Sequence, residues 1–200
     1  MSRLVTNAIR STAASTDAIT LDGSGNATFP ANVTCSGTAT GFGGGKVLQV
    51  KQSVKTDVSS RGGNSGDQTF ALIPGLSVNI TPSASTSKIY VMVNIKQGVI
   101  NNAWVRYQLY RDSTAIYLGD TVSGKESISS HTYINSDFNM SIINENFLDS
   151  PNTTSQITYQ VYWSARDNSG NTAYINRTGN DTGDYQVRCA SSITVMEVAA

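Results

Sequence analysis

The chain has little of what metalloproteins and most hydrolases are built from. Its 200 residues include one histidine, His131, and two cysteines, Cys35 and Cys189. A structural zinc site takes about four Cys or His ligands, so these three residues are too few. Two cysteines are likewise too few for the disulfide framework of a small secreted scaffold. Both lie in apolar, strand-like surroundings that suit small buried hydrophobes. Charged residues are only 14%, and 14 basic residues balance 14 acidic ones. A typical soluble domain has about 25%. With no net charge and no basic run, the chain lacks the electrostatic footprint of a nucleic-acid or acidic-membrane binder. No stretch approaches the roughly 18 apolar residues of a membrane-spanning helix. The opening MSRLVTNAIR lacks the apolar core of a secretion signal, so neither membrane insertion nor export is expected.

Signatures of catalysis are missing too. No G-x-S-x-G elbow accompanies His131, which lies in the serine-rich stretch SISSHTY. Gly41 to Gly45 are glycine-rich, but they open a strand pattern, so a phosphate would find no helix N-terminus there. Asp112, Asp120, Asp137, Glu145 and Asp149 fall mostly at strand ends, where solvated turn carboxylates are commonplace. The loops DNSGN (167 to 171) and DTGD (181 to 184) have oxygen ligands of the kind calcium uses but not a full set. The expectation is a protein that is not an enzyme and has no metal or cofactor.

What is abundant is Ser, Thr and Asn, together roughly a third of the chain. Between Ile19 and Ala39, outside the turn Gly23-Ser24-Gly25, every odd position is apolar or glycine, and every even position but Pro30 is polar. Ile19, Leu21, Phe29, Val33 and Cys35 are on the apolar side. Strict alternation of this kind marks strands with one dry face. An isolated hairpin cannot bury such a stripe in water, so identical copies around a shared axis are the simplest cover. Residues 18 to 45 thus read as a β stem with a glycine hinge. Residues 1 to 17 have a weak helical spacing and too few apolar residues to fold alone; Leu4, Val5 and Ile9 are left to bury in a partner.

From residue 46 to 200 the pattern is all strand. KVLQVKQSV, TFALI, LSVNIT, KIYVMVNIKQGVI, AWVRYQLYRD, TAIYLGD, SDFNMSIINENFL, ITYQVYWSARD, TAYINRT and SSITVMEVA follow one another, separated by Gly, Asn and Asp turns. That succession predicts an antiparallel β-sandwich. The closing SSITVMEVA is apolar on both faces, which places it in the centre of a sheet or against another subunit. The stretches 61 to 67, 123 to 133 and 168 to 184 read as its recognition loops, with Tyr133 and Tyr174 as candidate receptor contacts.

The segment ITLDGSGNATFPANVTCSGTATG resembles the repeating stem units of tailed-bacteriophage fibre and appendage proteins, notably of marine and cyanobacterial phages. MSRLVTNAIR resembles their N-terminal segments, and SSITVMEVA the closing strand of their heads. The middle is similar to the jelly roll of the tumour necrosis factor and complement globular-head superfamily. The resemblance implies an all-β virion protein, with a β stem followed by a jelly-roll-like sandwich, assembled as a homotrimer. It implies synthesis in the host cytoplasm and display on the particle, attached to another virion protein through the N-terminus. The head would contact a host surface glycan or protein. A capsid-decorating head fibre or cement protein is the alternative, and a glycan depolymerase the second alternative. The resemblance carries no catalytic residues.

Overall fold

The computed structural model describes residues 6–30, 47–63, 69–166 and 170–200. The chain divides into two compact units, Met1–Gly43 and Gly44–Ala200. In the first, β1 (Ala8–Ile9), β2 (Ile19–Leu21) and β3 (Ala27–Thr28) form a three-stranded antiparallel sheet. Ala8 and Ile9 are therefore extended and paired with Thr20 and Ile19, not helical. The turn between β2 and β3 is built by Asp22. Its carboxylate accepts from the backbone N–H groups of Ser24 and Asn26 at 2.9 Å, and these bonds, led by one from the Asn26 side chain, lower its pKa. Ile9, Leu21 and Phe29 stay substantially exposed within this unit. Leu4, Val5, Val33 and Cys35 lie outside the described residues.

The second unit has the strands β4 (Val47–Lys55), β5 (Ser59–Gly62), β6 (Ala71–Ile80), β7 (Lys88–Ile100), β8 (Ala103–Arg111), β9 (Thr114–Ile116), β10 (Ser130–Ile134), β11 (Ser141–Asp149), β12 (Ile157–Arg166), β13 (Thr172–Ile175) and β14 (Ser191–Val198). One sheet runs β4-β14-β7 with β11 on the far side of β7, extended by β13 and β5; the other runs β10-β8-β12-β6, with β9 on β8. Every pairing is antiparallel. Counting only the eight long strands in chain order, the sheets read 1-8-3-6 and 5-4-7-2. This is the double Greek key of a jelly roll, so the all-β sandwich expected from the sequence is the fold present.

The core is where the two sheets meet. Ile89, Val91, Val93 and Ile95 of β7 point inward with Val105, Tyr107 and Leu109 of β8, Tyr159, Val161 and Trp163 of β12, and Ile73, Leu76 and Val78 of β6. Each such aliphatic side chain contributes about 1.5–3 kcal/mol when fully removed from water. The buried tyrosine hydroxyls of the sandwich have acceptors, while the Gln97 amide nitrogen and the Ser164 hydroxyl are buried without a hydrogen bond among the described residues. The Tyr107 hydroxyl donates to Gln97, and that of Tyr159 donates to Asp149 at 2.6 Å, which Arg111 also clasps at 2.8 Å. Burial pushes the Tyr107 and Tyr159 hydroxyls well above their ordinary pKa, so both remain donors.

Several local expectations need correction. TFALI and LSVNIT are one strand, β6, which bulges where Pro74 cannot donate and Gly75 takes a φ of 85°. Arg61 and Gly62, read as the start of a recognition loop, belong to the strand Ser59–Gly62 paired with β13. Ser130–Ile134, read as part of a loop, is β10, at the edge of its sheet. Cys189 is a free thiol, half-buried beside Met140 and outside any strand. As expected of a two-faced apolar segment, β14 is paired on both sides, with β4 and β7.

Candidate binding site

Alternation along the strands gives each sheet an outer face, and the two outer faces differ in chemistry. On the β4-β14-β7-β11 sheet, cross-strand pairing aligns Val50, Met196, Tyr90 and Leu148 in one row. Val50, Val54, Leu148 and Ile142 on this face are all about half exposed, at 52–55%. The neighbouring rows are uncharged, Gln52 with Thr194, Met92 and Asn146, then Val54 with Ser192, Asn94 and Asn144. An open recess of about 330 Å³ lies over these rows, lined by uncharged side chains such as Tyr90, Met92, Asn94, Asn146 and Thr194, with Glu145 at its margin.

The outer face of the other sheet carries two rows of another kind. Tyr133 of β10, Trp104 of β8 and Arg166 of β12 are direct partners in register, and so are His131, Arg106 and Ser164. Trp104 is 42% exposed although it stands on an inner strand. Its ring is flanked by Tyr133, centroid to centroid 4.7 Å, and by His131 at 5.5 Å, both tilted by 30–40°. Aromatic pairs at such spacings are worth about 0.5–1.5 kcal/mol beyond the area they bury. They hold the indole in place with one region still open to solvent. Arg106 is buried in the same face. Its guanidinium is ion-paired with Glu126 from the β9–β10 connection and lies 5.5 Å over the Phe70 ring. Arg166 is exposed and has no ion-pair partner among the described residues.

Trp104, Arg106, Glu126, Ile128, His131 and Arg166 together line an open pocket of about 350 Å³. Small-molecule sites start at about 300 Å³, so the pocket has room for a single ring-sized group. By contrast, the recess between the sheets near Tyr117 and Phe147 holds about 20 Å³. That is room for one water, which rules it out as a ligand site.

Of the residues singled out in the sequence, Tyr133 packs against Trp104 of this pocket without lining it, and Tyr174 is remote from it. Tyr174 is on β13 in the other sheet. Its ring face is occupied by the Arg177 guanidinium at 3.9 Å, which is itself bonded to the Thr178 and Gly179 carbonyls. Ile9, Ile19, Leu21 and Phe29 lie together in the N-terminal unit. Asp181 of the candidate calcium loop bridges Arg177 and Arg188. Asp112 accepts from the backbone of Thr158 at 2.8 Å, Asp149 is held by Arg111, and Glu145 accepts from Tyr117 at 3.3 Å. The pocket itself was missed in the sequence because its members come from three strands and one connection. Its one local signal was the polar side of AWVRYQLYRD, which alternates Trp104, Arg106, Gln108 and Tyr110.

Neither a family model nor a curated protein matches the chain. Among solved structures, it is similar to a chain in the structure of infectious bursal disease virus Gx strain, with 13% identity and a TM-score of 0.39 over 76% of this chain. The structure of the Gt strain gives 11% and 0.40 over 75%, and the crystal structure of the VP2 subviral particle of that virus gives 15% and 0.35 over 76%. The chain spans 40% of the length of each of those chains. Similarity this weak carries no argument about function.

Proposed function

We propose that the protein is a structural, non-enzymatic component of a virus particle, assembled as a homotrimeric fibre or appendage of the tailed-phage type. One observation supports the reading above all: both units leave aligned apolar surface uncovered in a single chain. In the first unit it is Ile9, Leu21 and Phe29; in the second it is the row through Val50, Met196, Tyr90 and Leu148. A monomer seldom leaves a contiguous apolar sheet face open, and further copies of the chain are the occupant to which both faces commit. Ile9 then serves the stem sheet through its pairing with Ile19, while Leu4 and Val5 are left for the virion partner.

Display on the particle surface places the jelly-roll unit where it contacts the host. Asp112, Asp137, Glu145 and Asp149 are engaged in hydrogen bonds or an ion pair, which supports binding over cleavage. Light scattering at micromolar protein is expected to give three times the chain mass of 21.3 kDa. A monomeric mass overturns the assembly, and absence of the protein from purified particles overturns the virion role.

A further inference from the structure

We infer that the pocket around Trp104 is a binding site for an acidic sugar residue, one bearing a carboxylate on its ring. The inference rests on the reading of the jelly-roll unit as host-contacting and gives that contact a place and a chemistry. Three properties of the pocket argue for it. The first is the indole platform. Trp104 offers a flat apolar surface beside solvent, braced by Tyr133 and His131 at 4.7 and 5.5 Å. A sugar ring has one face of C–H groups that packs on such a surface and an edge of hydroxyls that stays wet.

The second is charge. The lining holds two guanidiniums, Arg106 and Arg166, against one carboxylate, Glu126, a net charge of one positive with His131 neutral. Glu126 is committed to Arg106, so Arg166 carries the excess. It is the in-register partner of Trp104. Guanidinium binds a carboxylate through two parallel N–H···O bonds. Paired residues on adjacent strands stand about 5 Å apart, so the long Arg166 side chain can reach a substituent on a ring stacked over Trp104. One residue thus stacks on Trp104 while its acid group meets Arg166.

The third is what the surroundings lack. A single-stranded nucleic acid also stacks on aromatics, but it needs a basic track along its backbone. Here the lining supplies one guanidinium beyond the Arg106–Glu126 pair, that of Arg166, which matches a single acid group and not a chain of phosphates.

The test uses the intact protein and three probes: an oligouronate, a neutral oligosaccharide of the same length, and oligothymidylate. Binding is followed by titration calorimetry and by tryptophan emission, in which Trp104 is the exposed reporter and Trp163 is buried. The oligouronate is expected to bind and the other two are not. Arg166→Gln and Trp104→Ala should each weaken binding about tenfold or more, with the oligomeric mass unchanged. Trp104→Phe should keep most of the affinity. Equal binding of the neutral sugar, preferred binding of oligothymidylate, no binding of oligouronate, or wild-type affinity in Arg166→Gln would each overturn the site. Because mass and incorporation into particles are read separately, loss of the sugar site leaves the assembly reading standing, and a monomer that still binds oligouronate sinks only the assembly.

Discussion

The two outer faces of the sandwich are made by the same device and end up with opposite chemistry. Both consist of alternate residues on antiparallel strands whose other residues fill one common core. On the β14 side, alternation exposes Val50, Met196, Tyr90 and Leu148; on the β8 side it exposes Trp104, Tyr133, His131 and Arg166. The first set gains by excluding water altogether, as a protein–protein contact does. The second keeps an apolar plate ringed by groups that stay solvated until a polar ligand replaces the water. The core constrains neither choice, so a jelly roll is free to assign assembly to one sheet and recognition to the other.

The most drastic way to break this comparison removes both faces at once. Gly179 crosses β7 so closely that a Cβ there would lie 1.7 Å from the Val99 carbonyl oxygen. Gly179→Ala should destabilise the fold by about 3 kcal/mol, read as a large drop in Tm with loss of assembly and of sugar binding. A Tm within a degree or two of wild type would show that the crossing is looser than drawn.

Next in size is a change confined to one face. Met196→Glu puts a charge at the centre of the apolar row. On an open surface it would cost the fold no more than about 0.5 kcal/mol. In a trimer each copy would lose a buried side chain worth about 1.5–3 kcal/mol and bury a charge as well. The expected result is a folded monomer that still binds oligouronate, checked by light scattering and calorimetry. A trimeric Met196→Glu protein would mean that this face stays open in the assembly.

A subtler test loosens the strand at the middle of that face. Glu197 is fully buried and accepts hydrogen bonds from the Ser83 backbone and hydroxyl at 2.7 and 2.6 Å and from Gln49 at 2.6 Å. Burial alone would raise its pKa, but the bonds from Ser83, Gln49 and Ser87 outweigh it and lower the value from 4.5 to about 2. The folded form therefore holds its proton less tightly than the unfolded form. The stability this provides is complete above about pH 4.5 and is lost as pH falls toward 2. Tm measured across that window should fall for the wild type and fall less for Glu197→Gln. Parallel profiles would show that other carboxylates govern the acid limb.

The smallest effects separate the two tyrosines. Tyr133→Ala removes one brace of Trp104 and should weaken oligouronate binding several-fold, in line with an aromatic pair of about 0.5–1.5 kcal/mol. Tyr174→Ala, on the other sheet and stacked on Arg177, should leave that binding unchanged. Equal losses in the two variants would mean that the ligand reaches well beyond the pocket.

Much of this architecture was legible in the residues. Strands β7, β8, β12 and β14 fall where Ile89 to Ile95, Val105 to Leu109, Ile157 to Trp163 and Ile193 to Val195 alternate, because burial between two sheets enforces a period of two. Strand β10 was illegible because an edge strand needs only one buried side, here Ile134, and its polar residues look like a loop. Strand β5 was hidden for the same reason among glycine and serine. Bulging at Pro74 and Gly75 disguised one strand as two. The pocket was legible least of all. Which residue of β10 or β12 lies beside Trp104 is a matter of register, and register is fixed by the whole sheet, not by spacing within any one segment.

The position of β14 also has a consequence in time. It comes last in chain order among the described strands, yet it fills the gap between β4, the first strand of the sandwich, and β7. Until it arrives, β4 and β7 each present an unpaired strand edge, the kind of surface on which chains join wrongly. Such distant pairing is slow to form, so closure of this sheet comes late in folding. The apolar row that runs through Met196 does not exist before that moment. A chain whose sheet is still open therefore cannot offer this face to its neighbours, and only subunits with β14 in place are competent to meet.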